Sequence, residues 1–328
     1  MKLHTNQKLF RQAIQFTADQ MQIPAIYIEK DYWVTYALFT IFNHEIGKEV
    51  VFKGGTALAK CYDIIKRFSE DIDLIVFRRE KESNNKLTNK IKTISKVIED
   101  ILPEIEIPGL THKMGMNRKT AHSYHKQFKG NYGQIRDTVI VEATCLGYFE
   151  PYTKKSICSF VAQMMIDNNQ ADMAKENDLL PFDVLVLEPT RTICEKIMSL
   201  VRFSYSENPI ENLRNKIRHI YDLYQLLLEE EFWDFFNSKA FDNMLLKVAQ
   251  DDVISFKNNN KWLKNHPVDS LIFKYPTKIW KNLKSTYETD FKNLVYGNFP
   301  NEMKLLKTLL LIQERIATIR WKIKIENE

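Results

Sequence analysis

Short apolar runs separated by turn residues mark the first part of the chain. Residues 50–52 (VVF) form one such run, which stops at Gly54 and Gly55, and residues 72–77 (IDLIVF) form another that is rich in β-branched side chains. Runs of this kind predict buried β-strands. Between them, residues 56–66 place their apolar side chains at helical spacing. The order strand, helix, strand is therefore predicted here.

The same reasoning divides the rest of the chain in two. Further elements are predicted as helices at 8–21, after Pro24 and at 86–101, and as strands at 120–128 and 136–145, with Gly130 and Gly133 in the connecting turn. Beyond residue 181, apart from an apolar run at 184–187, the pattern is helical, with helices predicted at 190–203, 213–229 and 231–249. We therefore expect an α/β (α+β) domain over residues 1–180, followed by an all-helical domain over residues 181–328.

The composition is that of an ordinary folded protein and excludes several classes. Of the 328 residues, 44% are apolar and 27% are charged, which rules out a disordered chain and a disulfide-stapled miniprotein. No uncharged apolar run reaches the roughly 18 residues of a membrane-spanning helix. The N-terminal residues lack the apolar core of a signal peptide, and the four cysteines form no C-x-x-C pair. These features predict a cytoplasmic protein with free thiols and no membrane association.

The formal net charge of +5 is concentrated near the C-terminus. Residues 257–328 hold 14 Lys and Arg against 7 Asp and Glu, a net charge of +7, so the rest of the chain carries −2. A basic quarter on a near-neutral body is typical of a protein with a polyanionic partner. A lysine-rich surface that only contacts water is the alternative interpretation.

The turn after the first predicted strand has the composition of a phosphate-binding loop. In residues 52–58 (FKGGTAL), a strand stops at two glycines and a helix begins. Glycine lets the backbone approach a ligand closely, and the free N–H groups at a helix start favour phosphate. The segment matches neither the Walker A loop nor the dinucleotide-binding fingerprint. An ordinary tight turn between strand and helix is the alternative.

Two carboxylates follow on the next strand. Asp71 and Asp73 are two positions apart, so in a strand they point to the same face. Like charges this close repel each other unless a cation lies between them, and Mg²⁺ is usually held by one or two carboxylates plus substrate phosphates. Glu142 stands alone in the apolar run VIVEAT, where an acid is costly unless it is paired or metal-bound. On an adjacent strand it would complete a cluster able to hold two Mg²⁺ ions. A solvated polar strand end is the alternative for the aspartate pair.

These motifs together resemble a known superfamily. A strand ending in Gly-Gly-Thr, a short helix, then Asp-Ile-Asp and a later strand with one Glu are similar to the polymerase-β-type nucleotidyltransferases. Five segments resemble, more narrowly, the AbiEii/AbiGii toxin family: 29–34 (EKDYWV), 52–60 (FKGGTALAK), 67–74 (RFSEDIDL), 192–196 (TICEK) and 218–223 (RHIYDL). The resemblance covers roughly residues 25–230, in the family's order, and residues 240–328 add nothing to it.

The resemblance implies a nucleotidyltransferase fold, with a small mixed sheet flanked by helices, and a helical domain that completes the active-site cleft. It implies a cytoplasmic toxin of a bacterial toxin–antitoxin or abortive-infection pair. Such an enzyme uses an NTP and Mg²⁺ to add nucleotides to an RNA acceptor such as tRNA, and it has a cognate antitoxin as partner. The predicted site consists of Asp71, Asp73, Lys196 and Asp222 as catalytic residues, Asp71, Asp73 and Glu142 as metal ligands, and Lys53, Gly54, Gly55, Thr56, Ser69 and Arg218 as nucleotide-binding residues. The third acid is Glu142, where the family has Asp.

The helical part of this site also has a plainer interpretation. Arg218 and Asp222 are i, i+4 neighbours opposite an apolar stripe, where a surface ion pair would be worth about 0.3–0.5 kcal/mol. Asp222 could instead orient Lys196 or act as a base for the acceptor hydroxyl. Lys196 could simply extend to water, and its functional interpretation is a cation placed on the triphosphate.

Two other function classes stay open at this point. One is a catalytically silent NTP- or RNA-binding regulator on the same fold, against which the intact Asp71 and Asp73 pair argues. The other is a nucleotidyltransferase that modifies a small-molecule or protein hydroxyl, which the basic C-terminal quarter disfavours.

Overall fold

A computed structural model describes residues 1–130, 135–257 and 259–325 of the chain. These residues fold as two compact units. The first contains Met1–Asp63 and Phe68–Leu187, and the second contains Ile64–Arg67 and Glu188–Glu328. We expected the chain to change character at residue 181, whereas it passes from the first unit to the second after Leu187.

The first unit is built around a mixed sheet. In its described residues the sheet has eight strands: β1 (Val50–Lys53), β2 (Ile72–Val76), β3 (Glu104–Ile105), β4 (His112–Met114), β5 (Asn117–His122), β6 (Val139–Thr144), β7 (Tyr152–Ile157) and β8 (Phe182–Leu187). Their order is β3-β5-β6-β2-β1-β8-β7, and β4 pairs with Asn117–Lys119 of β5, on the edge where β3 pairs with Ala121 and His122. β2 is antiparallel to β1 and parallel to β6, and β8 is parallel to β1. β1, β2 and β6, which carry the predicted chemistry, are therefore neighbours inside the sheet.

Helices flank this sheet. They are α1 (Gln7–Met21), α2 (Ala25–Asn43), α3 (Gly54–Tyr62), α4 (Asn84–Glu99), α5 (Phe160–Asp167) and α6 (Ala171–Glu176). Side chains of Asn6, Ser83 and Ser159 accept hydrogen bonds from backbone N–H groups in the first turns of α1, α4 and α5, which defines where these helices begin. α2 follows Pro24 and is buried on most of its circumference, as expected for a helix that is apolar nearly all round.

The second unit is helical. Its α-helices are α7 (Pro189–Ser204), α8 (Pro209–Arg214), α9 (Ile217–Leu226), α10 (Glu230–Asn237), α11 (Lys239–Ser255), α12 (Leu271–Lys274), α13 (Pro276–Thr286) and α14 (Glu302–Ala317). Short 3₁₀ or π turns occur at Leu3–Thr5 and Glu45–Glu49 in the first unit and at Lys261–Lys264, Pro267–Asp269, Tyr287–Phe291 and Lys292–Leu294 in the second. In the described ranges, no helix combines the length and apolar character that crossing a bilayer requires.

The mixed sheet and the helical second part confirm the expected fold class, and individual elements differ from the prediction. The prediction of one continuous helix at 213–229 is wrong. Lys216 has φ −107° and ψ 14° and separates α8 from α9. The predicted strand 120–128 begins earlier and ends at His122. Gly133 lies outside the described residues. β7 was missed because it is an exposed, lysine-rich edge strand without the apolar alternation of a half-buried strand.

Cysteine usage agrees with the prediction. All four residues, Cys61, Cys145, Cys158 and Cys194, are free thiols.

Four residues in the middle of the first unit's sequence pack with the second unit. After Asp63, which has a φ of +54°, the segment Ile64–Arg67 joins the helical unit. Arg67 forms a β-bridge with Val295, and the carbonyl of Lys66 accepts a hydrogen bond from the N–H of Tyr296 at 3.1 Å. No local pattern in the sequence predicts that these four residues belong to the second unit.

Candidate active site

Gly54 makes the turn between β1 and α3. Its φ is +82°, a conformation that L side chains rarely adopt, and a Cβ atom there would collide with Oδ2 of Asp73. Since α3 begins at Gly54, the N–H groups of Gly54, Gly55 and Thr56 belong to its first turn and have no carbonyl partner within the helix. The predicted phosphate-binding residues thus form a helix start with a carboxylate directly beside it.

Thr56 and Ser69 meet although 13 positions separate them in the chain. Thr56 is buried, and its Oγ1 donates a hydrogen bond to Oγ of half-buried Ser69 at 3.0 Å. This bond joins the first turn of α3 to the loop that leads into β2. Two of the predicted nucleotide-binding residues are therefore brought together by the fold.

The sheet places two acids between two lysines in a row that crosses four strands. Asp73 on β2 lies opposite Lys53 on β1 and opposite Glu142 on β6, and Glu142 in turn lies opposite Lys119 on β5. Asp73 and Glu142 are half-buried, whereas their neighbours along each strand are buried. The two carboxylates thus lie on one face of the sheet, and the strand period explains why.

Asp71 stands just before the first residue of β2. Its Oδ1 is buried and accepts no hydrogen bond from any described residue. Nη1 of Arg136 lies 3.7 Å from this oxygen, on a side chain that is 42% exposed. A buried carboxylate oxygen without a hydrogen bond is costly. Asp71 therefore has unused capacity to bind a cation.

These surroundings raise the pKa of Asp73 to about 7. Burial is the largest cause, and the negative charges of Asp71 and Glu142 come next, while Lys53 and Lys119 offset only part of the effect. A divalent cation between Asp71 and Asp73 would remove their repulsion, and carboxylate oxygens are the ligands that Mg²⁺ prefers. The aspartate pair therefore fits the predicted ion.

Glu142 is held by other partners. Its Oε2 accepts a hydrogen bond from Nζ of Lys119 at 3.0 Å, and its Oε1 accepts one from Nδ2 of Asn117 at 3.3 Å. Burial raises the pKa of Glu142, but Lys119 and Asn117 outweigh burial, so this pKa lies below its ordinary value. Among the described residues, no three His, Cys, Asp or Glu side chains converge as a metal site. Direct metal ligation by Glu142 stays a prediction, and here Glu142 acts on Asp73 as a neighbouring charge.

Lys30, a buried lysine of α2, contacts both the residue before Asp71 and the segment that leads into β6. Lys30 is fully buried and forms an ion pair with Glu70, the residue before Asp71, at 3.4 Å. Its ammonium group also donates hydrogen bonds to the backbone carbonyls of Thr138, at 2.8 Å, and Arg136. Glu70 accepts a further hydrogen bond from the N–H of Arg136 at 3.1 Å. Lys30 and Glu70 thus fix the start of β2 against the segment that leads into β6.

The residues on either side of Lys30 are also buried and charged. Asp31 forms an ion pair with Lys60 of α3 at 2.5 Å and accepts a hydrogen bond from the N–H of Phe160 at 2.8 Å. Glu29 accepts hydrogen bonds from two backbone N–H groups, those of Gln127 at 2.6 Å and Phe128 at 3.1 Å. Sequence reasoning assigned no role to this triplet. The sequence contains a signal for these buried pairs, because three consecutive charged residues in an otherwise apolar helix are costly unless each is paired.

The helical unit brings Lys196 and Asp222 together. Lys196 lies on α7, Asp222 lies on α9, and Nζ of Lys196 donates to Oδ2 of Asp222 at 2.7 Å. The Asp222 side chain is fully buried and that of Lys196 is 6% exposed. Lys196 therefore does not extend to water, and the surface-pair interpretation of Asp222 with Arg218 is wrong. Arg218 is half-exposed on α9, and its nucleotide-binding role stays a prediction.

Asp222 has a second cationic partner, which the sequence did not indicate. Nε of Arg67 donates to Oδ1 of Asp222 and Nη2 donates to Oδ2, both at 2.7 Å. Burial alone would raise the pKa of Asp222, but Arg67 and Lys196 hold it well below its ordinary value. The pair is 155 positions apart in sequence. Arg67 was visible only as the first residue of the segment RFSEDIDL.

Comparison with known families agrees with this arrangement. The sequence matches the family described as nucleotidyl transferase AbiEii toxin, Type IV TA system, over residues 36–300. The chain belongs to this family. It is therefore a nucleotidyltransferase of a toxin–antitoxin type, as the sequence motifs predicted. A search of the curated proteins finds no match.

Within the first unit, the structure of this AbiEii-family protein joins Lys53, Gly54, Thr56, Ser69, Asp71, Asp73 and Glu142 around the start of α3 and β2. Within the second unit, it joins Lys196 and Asp222. That the helical unit completes the same active-site cleft stays a prediction, as do the individual catalytic roles.

Proposed function

We propose that this nucleotidyltransferase uses Mg²⁺ to transfer an NMP group from an NTP to an RNA acceptor such as tRNA, and that this transfer is its toxic activity. The observation that carries the proposal is the aspartate pair beside Gly54. Asp73 has too little positive charge around it and lies next to a helix start suited to phosphate, and its neighbour Asp71 has a buried oxygen without a hydrogen bond.

The residues divide the work of the reaction as follows. Asp71 and Asp73 hold Mg²⁺, and Glu142 joins them as a ligand if it leaves Lys119. When bound, Mg²⁺ neutralises charge on the triphosphate, and a second ion would do the same for the attacking oxygen. Gly54, Gly55 and Thr56 offer backbone N–H groups to the phosphates, with Lys53 and Ser69 beside them. The protein's share of such a transfer is mainly positioning and charge stabilisation.

The proposal gives the helical unit two tasks. Lys196 places a cation on the triphosphate, where a fixed positive charge stabilises the departing pyrophosphate, and Arg218 contributes to nucleotide binding. The basic residues of 257–328 contact RNA phosphates, which is consistent with their net charge of +7 from 14 basic and 7 acidic side chains. A cognate antitoxin protein, acting in the cytoplasm, completes the proposed system.

The alternatives make different predictions. A silent regulator would bind NTP or RNA without releasing pyrophosphate, and an enzyme acting on small molecules or protein hydroxyls would leave RNA unlabelled. The structure favours an active enzyme over the silent regulator, because both aspartates are present and Asp73 lies directly against Gly54.

The deciding experiment is incubation of the protein with each α-labelled NTP, Mg²⁺ and total RNA. We expect label in an RNA band that ribonuclease removes and protease does not, and pyrophosphate release that chelation of Mg²⁺ abolishes. Label that resists ribonuclease would move the acceptor to the protein or small-molecule class. Binding of NTP without pyrophosphate release from any combination would support the silent regulator.

A further inference from the structure

We propose that Arg67 and Asp222 form a clamp that positions the ammonium group of Lys196, and that Asp222 is not the base for the acceptor hydroxyl. The inference rests on the proposed function and concerns the same reaction. Arg67 and Asp222 are then positioning residues, and Lys196 is the group that meets the substrate.

Both oxygens of Asp222 are engaged by cations in a fully buried site. Oδ1 accepts from Nε of Arg67, and Oδ2 accepts both from Nη2 of Arg67 and from Nζ of Lys196, each at 2.7 Å. The side chain is 0% exposed. A general base needs a lone pair within hydrogen-bond reach of the hydroxyl that it deprotonates. Two cations already occupy both oxygens here, and two-point pairing with a guanidinium is a geometrically specific arrangement.

The position of the guanidinium is itself fixed. Arg67 is 3% exposed, and its backbone forms a β-bridge with Val295 in the same unit. The preceding carbonyl, that of Lys66, accepts hydrogen bonds from the N–H groups of Tyr296 and Gly297 at 3.1 and 3.3 Å. Lysine carries a flexible four-carbon stem that loses conformational entropy when it is held in place. A carboxylate anchored by Arg67 therefore supplies a fixed point for the Lys196 ammonium group.

The charge balance of the clamp suits an anionic ligand. One carboxylate serves two cations, so the trio retains a surplus positive charge. His219 lies close by, and burial, Lys196 and Lys216 hold its pKa well below the ordinary value, so it is neutral. Its Nδ1 is buried and has no hydrogen-bond partner among the described residues. A triphosphate is a ligand that would balance the surplus charge.

The chain offers a matched control on the same helix as Lys196. Arg191 is 1% exposed, and its Nη2 donates to Asp251 at 2.6 Å while its Nε donates to Glu195 at 3.0 Å. This is a second buried arginine–carboxylate cluster of the helical unit. Asp251→Asn likewise removes the charge of a buried carboxylate that pairs with an arginine, and it should have no effect on nucleotide transfer.

The test measures single-turnover transfer and equilibrium NTP binding for Asp222→Asn, Arg67→Gln, Arg67→Lys and Asp251→Asn, below the melting temperature of each. Asp222→Asn and Arg67→Gln should each lower kcat by about 10²-fold, the size expected when a reacting group is misplaced. Both should weaken NTP binding and leave the acid limb of the rate–pH profile where it is. Arg67→Lys should restore part of the loss, and Asp251→Asn should match wild type.

Double variants that include Lys196→Ala test whether the clamp acts through Lys196. If the clamp acts through Lys196, adding Asp222→Asn or Arg67→Gln to Lys196→Ala should cause no further loss of rate. A further loss of about 10²-fold, or the disappearance of the acid limb in Asp222→Asn, would show that Asp222 is the base. Equal losses in Asp251→Asn would reduce the clamp to a folding element.

Two readouts separate the clamp from the proposed function. If the wild-type protein labels no acceptor, the proposed function fails. The clamp is then tested by measuring NTP binding alone. Loss of NTP affinity in Arg67→Gln equal to that in Lys196→Ala supports the clamp, whereas unchanged affinity overturns it. If Arg67→Gln does not fold, the conservative Arg67→Lys variant takes its place in both measurements.

Discussion

Asp73 in the sheet and Asp222 in the helical unit are two carboxylates with opposite electrostatic surroundings. Asp73 has two acidic neighbours, Asp71 and Glu142, and its pKa rises to about 7. Asp222 has two cations on its oxygens, and its pKa falls well below the ordinary value. The first carboxylate is short of positive charge, and the second has more than it needs.

Burial alone therefore does not identify a ligand-binding acid. Burial raises the pKa of both side chains, and only their neighbours decide the direction of the net shift. A carboxylate with too few cations is suited to the ion that the proposed function requires. A carboxylate with two cations is already satisfied, and its use is to hold those cations in place.

The largest expected effect comes from removing the acids that lack positive charge. Asp71→Ala and Asp73→Ala should each lower transfer by at least about 10²–10³-fold, because the bound cation and its charge stabilisation are lost. Melting in metal-free buffer should not fall, since a like-charge repulsion is relieved. Asp183→Ala, which removes an exposed acid paired with Lys154 at 2.6 Å, is the control. Rates within about threefold of wild type for both variants would contradict the metal assignment.

The next effect concerns the cation that Asp222 holds. Lys196→Ala should lower transfer by about 10²–10³-fold by removing a fixed charge from the triphosphate, while Mg²⁺ binding survives. Lys239→Ala is a suitable control, because that lysine is 81% exposed and its partner Asp242 also pairs with Arg315. Isothermal titration of Mg²⁺ and single-turnover transfer measure the two properties separately. A Lys196→Ala enzyme with wild-type rates would leave the Lys196–Asp222 pair with a structural role only.

Gly54 tests how closely the phosphate loop and Asp73 are coupled. Gly54→Ala and Gly147→Ala both place a side chain at positive φ, +82° and +87°, and should each cost about 1–3 kcal/mol of stability. Only at Gly54 does the new Cβ meet Asp73, whereas at Gly147 it meets nothing within 4 Å. Transfer should therefore fall by about 10²-fold in Gly54→Ala alone. Equal activity of the two folded variants would argue against the coupling.

A smaller effect is the pH dependence of stability. The pKa of Asp73 is about 7 in the folded protein, above its ordinary value of 3.8. Between these values the folded state binds more protons than the unfolded state, so the free energy of unfolding falls as pH rises. Bound Mg²⁺ should remove this loss, and the rise in melting temperature on adding Mg²⁺ should be larger at about pH 8 than at about pH 5. Asp73→Asn should abolish this pH dependence, and a Mg²⁺ effect equal at both pH values would contradict the assignment.

The smallest effect concerns the basic C-terminal quarter. Lys257, Lys261 and Lys264 are exposed, and changing all three to Gln should flatten the salt dependence of RNA binding by about 0.7 in log–log slope for each lost phosphate contact. The same change at exposed Lys8, Lys92 and Lys96 of the first unit is the matched control. An unchanged slope in the C-terminal variant would assign these lysines to a surface that only contacts water.

Much of the first unit was predictable because its signals are local. The strand period places Asp73 and its neighbours on opposite faces, and glycines mark the strand-to-helix turn, so β1, β2 and the phosphate loop follow from the sequence. The strand register then set Asp73 beside Glu142, as the predicted cluster required. The prediction that the helix 213–229 was continuous failed because apolar spacing persists across the break at Lys216.

The fold class, the family and the positions of the clustered acids could be predicted from the sequence alone, because they depend on residue types at short spacing. Only the tertiary structure decided which charges are satisfied. Lys119 engages Glu142 and Lys30 engages Glu70 across strands and loops, and Arg67 reaches Asp222 over 155 positions. The physical reason is that a buried charge is stable only with a partner, and a partner far away in sequence leaves no local pattern to read.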